Sequence, residues 1–188
     1  MTAQQTLTEQ QEALARVASV QGRLTAHSIW SEQACRLHDD SFAAIVEARI
    51  PRLFLPTGLG GDEVNPVTCA AVCEEVAGSD TAAAWHIMVF NAAKLMAAKW
   101  PAELVEMLWA DNPDQLISAS GHTPLQGKRV ADGVEISGTQ RFVSGCNFAQ
   151  WIMSPVMMDG EMHNAVVAIE DCQLMDNWNT LGMRGSGS

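Results

Sequence analysis

The spacing of apolar residues changes character near Asp111 to Asp114, and that change constrains the fold more than any other feature of the chain. Upstream, Leu14, Val17, Val20 or Gln21, and Leu24 recur at the spacing of one helix face, and a second such stretch runs from Glu32 to Val46 until Pro51 closes it. The segment IPRLFLPTGLGGDEV carries two prolines and three glycines, so it reads as an ordered connection between helices. Asn65-Pro66 supplies an N-cap with proline at the first helical position, and Gly78 stands where a helix would end, which predicts a helix over Pro66 to Ala77. Ser79 or Asp80 caps the next helix, a long and central one with Trp85, Met88, Val89, Ala92 and Met96 on its packing face. Pro101 opens a short helix through Trp109, where Leu104 and Leu108 stack one turn apart.

Downstream the pattern is that of strands. Asp132-Gly133 and Asp159-Gly160 are hairpin turns between short apolar runs. KRVADGVEIS forms one hairpin, and in the other Trp151 to Met158 pairs with His163 to Ile169. Helices followed by strands give segregated α and β parts, an α+β class, and not an alternating parallel sheet. The expected organisation is a helical domain over residues 1–113 and an antiparallel β domain over residues 114–188.

With 47% hydrophobic and 18% charged residues the chain has the material for a packed core. A formal net charge of -11 excludes a nucleic-acid surface, which needs Lys and Arg against phosphate. No apolar run reaches the roughly 18–20 residues of a membrane-spanning helix, and MTAQQTLTEQQE lacks the basic and apolar regions of a secretion signal, so the expectation is a cytoplasmic protein. The five cysteines are odd in number and fit reduced thiols. Cys69 and Cys73 lie four apart, but no nearby His or further Cys completes a tetrahedral set, so no metal is expected.

The chain stops on LGMRGSGS, which reads as a glycine-serine linker, a phosphate-cradling loop, or part of a larger motif. It lacks the G-x-G-x-x-G spacing and the strand-helix setting of a dinucleotide loop. PTGLGGDEV, then EEVAGSDTAAAW, then GVEISGTQRFVSGCNFAQW together resemble the acyl-CoA dehydrogenase superfamily over most of the chain. The likeness is greatest to its branch of two-component, flavin-dependent aromatic hydroxylases, through SDTAAAW, ISAS, RFVSG with a downstream Trp, and NWNTLGMRGSGS. In that branch a Trp precedes a Gly-x-Arg-Gly-Ser/Thr-Gly-Ser run, so the resemblance makes Trp178, Arg184 and the ending family sequence and not a linker.

The resemblance implies an oxygenase component that takes reduced flavin, FMN or FAD, from a separate NAD(P)H-flavin reductase and uses dioxygen to hydroxylate an aromatic, phenolic substrate. It implies Ser118, Ser120, Ser144, Gly145 and Arg184 as cofactor-binding residues, with the Ser144 hydroxyl beside the flavin ring. Ser144, Asn91 and His122 are the catalytic candidates, Asn91 because related hydroxylases present a polar group to the phenol nearby, His122 because it follows the flavin-facing Ser120-Gly121. Trp85, Phe142 and Trp151 are the implied pocket walls. Read without the resemblance, the same serines are ordinary strand-edge residues bonded to backbone, and the tryptophans and methionines fill a core. Family members continue into a C-terminal helical bundle that builds a tetramer, so the expectation is an N-terminal fragment of a homo-oligomeric enzyme, not active alone. An acyl-CoA dehydrogenase or related flavin oxidase, and a truncated non-catalytic partner of longer relatives, are the alternatives. The absence of Thr-Glu-Pro and Gly-Ser-Asp from LISASGHTPLQGKRV favours the hydroxylase over the dehydrogenase.

Overall fold

A computed structural model describes residues 3–97 and 99–188. Helix α1 spans Ala3–Ala34, and Cys35 stops it by adopting a left-handed conformation (φ 56°). Helix α2 then spans Asp39–Glu47. The single helix expected from Glu32 to Val46 is thus the end of one helix and the whole of the next. The cap that restarts it is His38, whose Nδ1 accepts the Asp40 N–H at 3.0 Å; histidine is not among the residues that signal an N-cap in sequence. Helix α3 occupies Pro66–Ala77 with Asn65 Oδ1 accepting the Val67 N–H at 2.9 Å, and helix α5 occupies Ala102–Trp109.

Helix α4, Thr81–Ala97, is central as expected, packing against α1, α3 and the first strand. Asp80 caps it, its Oδ1 accepting from Ala82 N at 2.8 Å and Ala83 N at 3.1 Å. The face it buries is not the expected one. Ala83, His86, Ile87, Phe90, Asn91, Lys94 and Ala97 are buried, whereas Trp85, Met88 and Met96 are more than a third exposed. Large apolar residues occur on both stripes of this helix, so periodicity alone selects no face. The main core gathers Val17 and Leu24 of α1, Ile45 of α2, Val72 and Val76 of α3 and Ile87 of α4. Each such side chain contributes about 1.5–3 kcal/mol on burial.

The segment between α2 and α3 is ordered by side chains from α4. Asn91 donates to Ile50 O at 3.1 Å and Ile87 O at 2.9 Å and accepts the Phe54 N–H at 3.3 Å. Lys94 Nζ donates to Pro51 O at 2.8 Å and Pro113 O at 3.2 Å, and burial pulls its amine down to about 7. Arg52 completes the join with a two-pronged bond to Asp114, both N···O distances being 2.6 Å.

Five strands follow: β1 Ile117–Ala119, β2 Leu125–Val130, β3 Gly133–Ser137, β4 Trp151–Met158 and β5 Glu161–Ala168. Both expected hairpins form, β2 with β3 and β4 with β5, but the first turns one residue early, with Val130 opposite Gly133 and Ala131-Asp132 at its tip, whereas at the second turn Asp159 and Gly160 both have positive φ, 54° and 82°. The register is set by Met158 opposite Glu161, so β5 begins two residues earlier than the hydrophobic run suggests. The class is α+β, but the sheet is mixed and not wholly antiparallel. Both β1 (Ile117 opposite Trp151) and β2 (Leu125 opposite Val156) run parallel to β4 along the same edge. A three-residue strand and a pairing between segments 30 residues apart leave no local signal in sequence.

The terminal LGMRGSGS does not behave as a linker. A 3-10 turn over Arg184–Ser186 lies against α1 and α4, and a Cβ added at Gly185 would sit 2.8 Å from Ala82 Cβ and 3.1 Å from Ser31 Cβ. Glu32 at the end of α1 accepts the Arg184 N–H at 3.2 Å. Gly182, by contrast, has open space where a side chain would stand. Gly185→Ala is therefore expected to lower stability by about 1–3 kcal/mol in urea unfolding through overpacking, while Gly182→Ala stays within about 1 kcal/mol of the parent.

Candidate functional site

Ser118, Ser120 and Ser144 of the residues singled out in sequence converge on one loop, residues 141–145, which connects the sheet to the face of α4. Two of its residues are left-handed, Phe142 at φ 58° and Gly145 at φ 80°. Such a conformation in a bulky residue costs about 1–3 kcal/mol and persists only where neighbours enforce it. The neighbours here are serines of β1 and the residues after it. Ser118 Oγ donates to Ser144 O at 2.9 Å, and Ser120 Oγ lies 2.7 Å from Arg141 O and 3.0 Å from Gln140 Oε1. From below, the loop is seated on α4: a Cβ at Gly145 would lie 2.7 Å from Phe90 Cζ and 3.2 Å from His86 Cδ2.

At the crest of this loop Ser144 Oγ accepts the Trp85 indole N–H at 2.9 Å and makes a short hydrogen bond with the hydroxyl of Ser188. Around it stand aromatic rings with open faces. Trp85 is 41% exposed and Phe142 57% exposed. Phe142 meets His122 edge-on at 5.6 Å and Trp178 edge-on at 6.1 Å between ring centres. A cleft of about 580 Å³ adjoins, walled by Phe142, Val143, Cys146, Ile152, Trp178 and Ser188 among others. On its floor the buried Ser154 Oγ has no hydrogen-bond partner.

The structure sorts the sequence candidates into those that meet at the loop and those that do not. Ser144, Gly145, Trp85 and Phe142 meet there. Ser118 and Ser120 meet there too, but their hydroxyls are engaged with loop carbonyls, so they shape the loop and do not present free donors. His122 stands beside Phe142 with its backbone N–H donated to Ser120 Oγ at 3.3 Å. Asn91 is completely buried and its amide holds the 50–54 segment, away from the cleft. Trp151 packs with Leu55, Ala97, Trp109 and Ile117 in a second apolar cluster and donates its indole N–H to Gln115 Oε1. It is partly buried against that cluster and does not line the cleft. The Arg184 guanidinium donates to Glu32 O at 2.9 Å and Asn179 Oδ1 at 2.8 Å, fastening the terminal turn to α1. Sequence reading does not assign Trp178, Ser188 and Ser154 to the cleft: Trp178 and Ser188 stand out only as parts of the terminal motif, and nothing local distinguishes Ser154 from any strand position. Among the described residues no group of three or more His, Cys, Asp or Glu is placed to hold a metal ion.

His86 lies directly under the loop. It is fully buried against Phe90 and Phe148, its Nδ1 is 2.8 Å from Ala82 O, and burial pulls its pKa down to about 4. The folded chain therefore keeps this imidazole neutral where the unfolded chain, with a value near 6.5, takes up a proton. Stability is intact above pH 6.5 and is lost as pH falls toward 4, by roughly 3 kcal/mol across the window. In His86→Gln, which can still donate to Ala82 O, urea midpoints measured from pH 7 to pH 4 should fall less steeply by about that amount.

No family model matches the chain. It is 29% identical over 164 residues to the oxygenase subunit HsaA, a flavin-dependent monooxygenase of Rhodococcus jostii, covering 84% of this chain and 43% of that protein. It is 26% identical over 180 residues to the oxygenase component of an FADH(2)-dependent resorcinol hydroxylase of Rhizobium sp., covering 92% of this chain and 44% of that protein. Among solved structures, XiaF from Streptomyces sp. in complex with FADH2 and glycerol superposes with a TM-score of 0.94 at 22% identity, covering 98% of this chain and 48% of that one. The chain shares the fold of XiaF, is similar in sequence to oxygenase subunits and components of flavin-dependent hydroxylating enzymes, and spans a little under half the length of the curated relatives it matches.

Proposed function

We propose that this chain supplies the helical and first β parts, residues 1–113 and 114–188, of a flavin-dependent monooxygenase oxygenase component that hydroxylates an aromatic, phenolic substrate. The observation that carries the reading is the Ser144 hydroxyl, held at the crest of a strained loop among half-open faces of Trp85 and Phe142. A flat heteroaromatic ring with polar edges fits such a place: aromatic faces and aliphatic walls cover its plane and a fixed hydroxyl meets its edge. The residues fit a reduced FMN or FAD, which when bound activates dioxygen and delivers one oxygen atom to an electron-rich ring.

This chain's own residues have the remaining work. Ser144 hydrogen-bonds the flavin ring, Gly145 lets the loop approach α4, and Ser118 and Ser120 keep the loop in its strained shape. Phe142 and Trp178 would exclude water from one side, and His122, edge-on to Phe142, would meet the phenol hydroxyl. The oxygenase components among the relatives support a separate NAD(P)H-flavin reductase as partner. A cytoplasmic, homo-oligomeric enzyme, tetrameric when complete, accords with this; no helix among the described residues is long and apolar enough to cross a membrane.

The test uses the product of the full reading frame that contains this chain, mixed with a flavin reductase, NADH, oxygen and a panel of phenols. Hydroxylated product and hydrogen peroxide are quantified per NADH consumed. Ser144→Ala should lower the product-to-peroxide ratio by about fivefold, the worth of one hydrogen bond of ~1 kcal/mol. A ratio unchanged by the substitution removes Ser144 from the site, and oxidation of acyl-CoA thioesters without oxygen incorporation replaces the reading with a dehydrogenase.

A further inference from the structure

A serine hydroxyl is a free rotor with one hydrogen and two lone pairs, so its presence beside a ligand does not by itself determine whether it donates or accepts. At Ser144 the surroundings restrict that freedom. The indole N–H of Trp85 is a donor only, and at 2.9 Å it occupies one lone pair of Ser144 Oγ. The hydroxyl hydrogen therefore cannot point toward the indole. A second position is taken by the short hydrogen bond with Ser188 Oγ, in which either hydroxyl can donate, so a single valence of Ser144 Oγ is left free. The backbone beneath is equally fixed, by Ser118 Oγ on Ser144 O at 2.9 Å and by the contact of Gly145 with Phe90.

Trp85 is also placed oddly for a side chain whose task is packing. It is 41% exposed while its polar atom is fully used. Asp80 caps the helix one turn earlier, so the indole projects from a rigid first turn of α4. A phenylalanine there would cover nearly the same area without the bond.

On the flavin reading above, we propose that Trp85 is a positioning residue: its indole N–H fixes the Ser144 hydroxyl so that the valence left free is presented to the flavin ring. Trp85 acts through Ser144, and its aromatic face is secondary.

The experiment has two arms. In the first, the flavin-free chain is labelled with 15N and the indole N–H signals of its six tryptophans are recorded. The Trp85 signal is the one lost in Trp85→Phe. It should move upfield and exchange faster with solvent in Ser144→Ala and return in Ser144→Thr, which restores the hydroxyl. A signal that stays put in Ser144→Ala overturns the inference while leaving the flavin reading intact. In the second, the product of the full reading frame is titrated anaerobically with reduced FMN and with reduced FAD. Trp85→Phe should weaken binding of the preferred flavin about fivefold where Ser144 is present and have no further effect in Ser144→Ala, since the two residues act as a unit. An equal loss in both backgrounds makes Trp85 a wall only and overturns the proposal. Absence of binding of either reduced flavin to the unsubstituted protein, together with a responsive indole signal, overturns the flavin reading and the proposed purpose of the pair with it.

Discussion

The close contact between Gly145 and the rings of Phe90 and His86 is the constraint on which the rest of the arrangement depends. A loop that approaches a helix to within van der Waals contact at its backbone must have no Cβ at the point of contact, and a left-handed φ lets it turn away again. Once that contact is made, Ser144 is carried to Trp85, and Phe142 is turned outward. The two serines at β1 then hold the loop's carbonyls, so the geometry of the crest does not depend on a ligand arriving. Burial of His86 beneath the same contact is the cost: a neutral imidazole in a dry place, tolerated because its one donor reaches Ala82 O.

A second set of contacts keeps the helical and strand parts in register. Lys94 reaches carbonyls on both sides of the helical layer, Pro51 and Pro113, and Arg52 binds Asp114 with both ends of its fork. Asn91 binds three backbone groups of its own helix and the neighbouring segment. Lys94 and Asn91 are polar groups deep in an apolar setting, and both are satisfied by backbone, which is how a buried amide or amine comes to specify a position and not merely to cost desolvation. Asn91 looks like a catalytic group in sequence for the same reason that it is structural here: a lone polar residue in an apolar helix draws attention, and only its partners say which role it has.

Much of the fold was legible along the chain. Asn65-Pro66, Asp80 and Asp159-Gly160 announce their turns and caps because the physics of each is local, a side-chain oxygen over one or two N–H groups or a residue free to take positive φ. The α+β segregation follows from the change of period. What could not be read were features made by distant segments. The break at Cys35 and the His38 cap divide one periodic stretch into two helices, β1 pairs in parallel with a strand more than thirty residues away, and α4 buries the stripe opposite to the one its largest residues suggest.

The candidate site divides in the same way. The resemblance carried by RFVSG and SDTAAAW singles out Ser144, Gly145, Trp85 and Phe142, which the fold brings to one loop, and the one carried by the terminal RGSGS marks it as a motif. Which serine hydroxyl is engaged by a loop carbonyl and which meets Trp85 and Ser188 was decided only in three dimensions. Ser118, Ser120 and Ser144 are indistinguishable as hydroxyls, yet two are engaged by the loop they support and one stands at its crest. Trp85 and Trp151 are likewise the same side chain in two environments, one half-open and bonded to Ser144, the other partly buried against an apolar cluster and bonded to Gln115. Burial and hydrogen-bond partners are properties of neighbours brought together by folding, and no single stretch of the chain contains them.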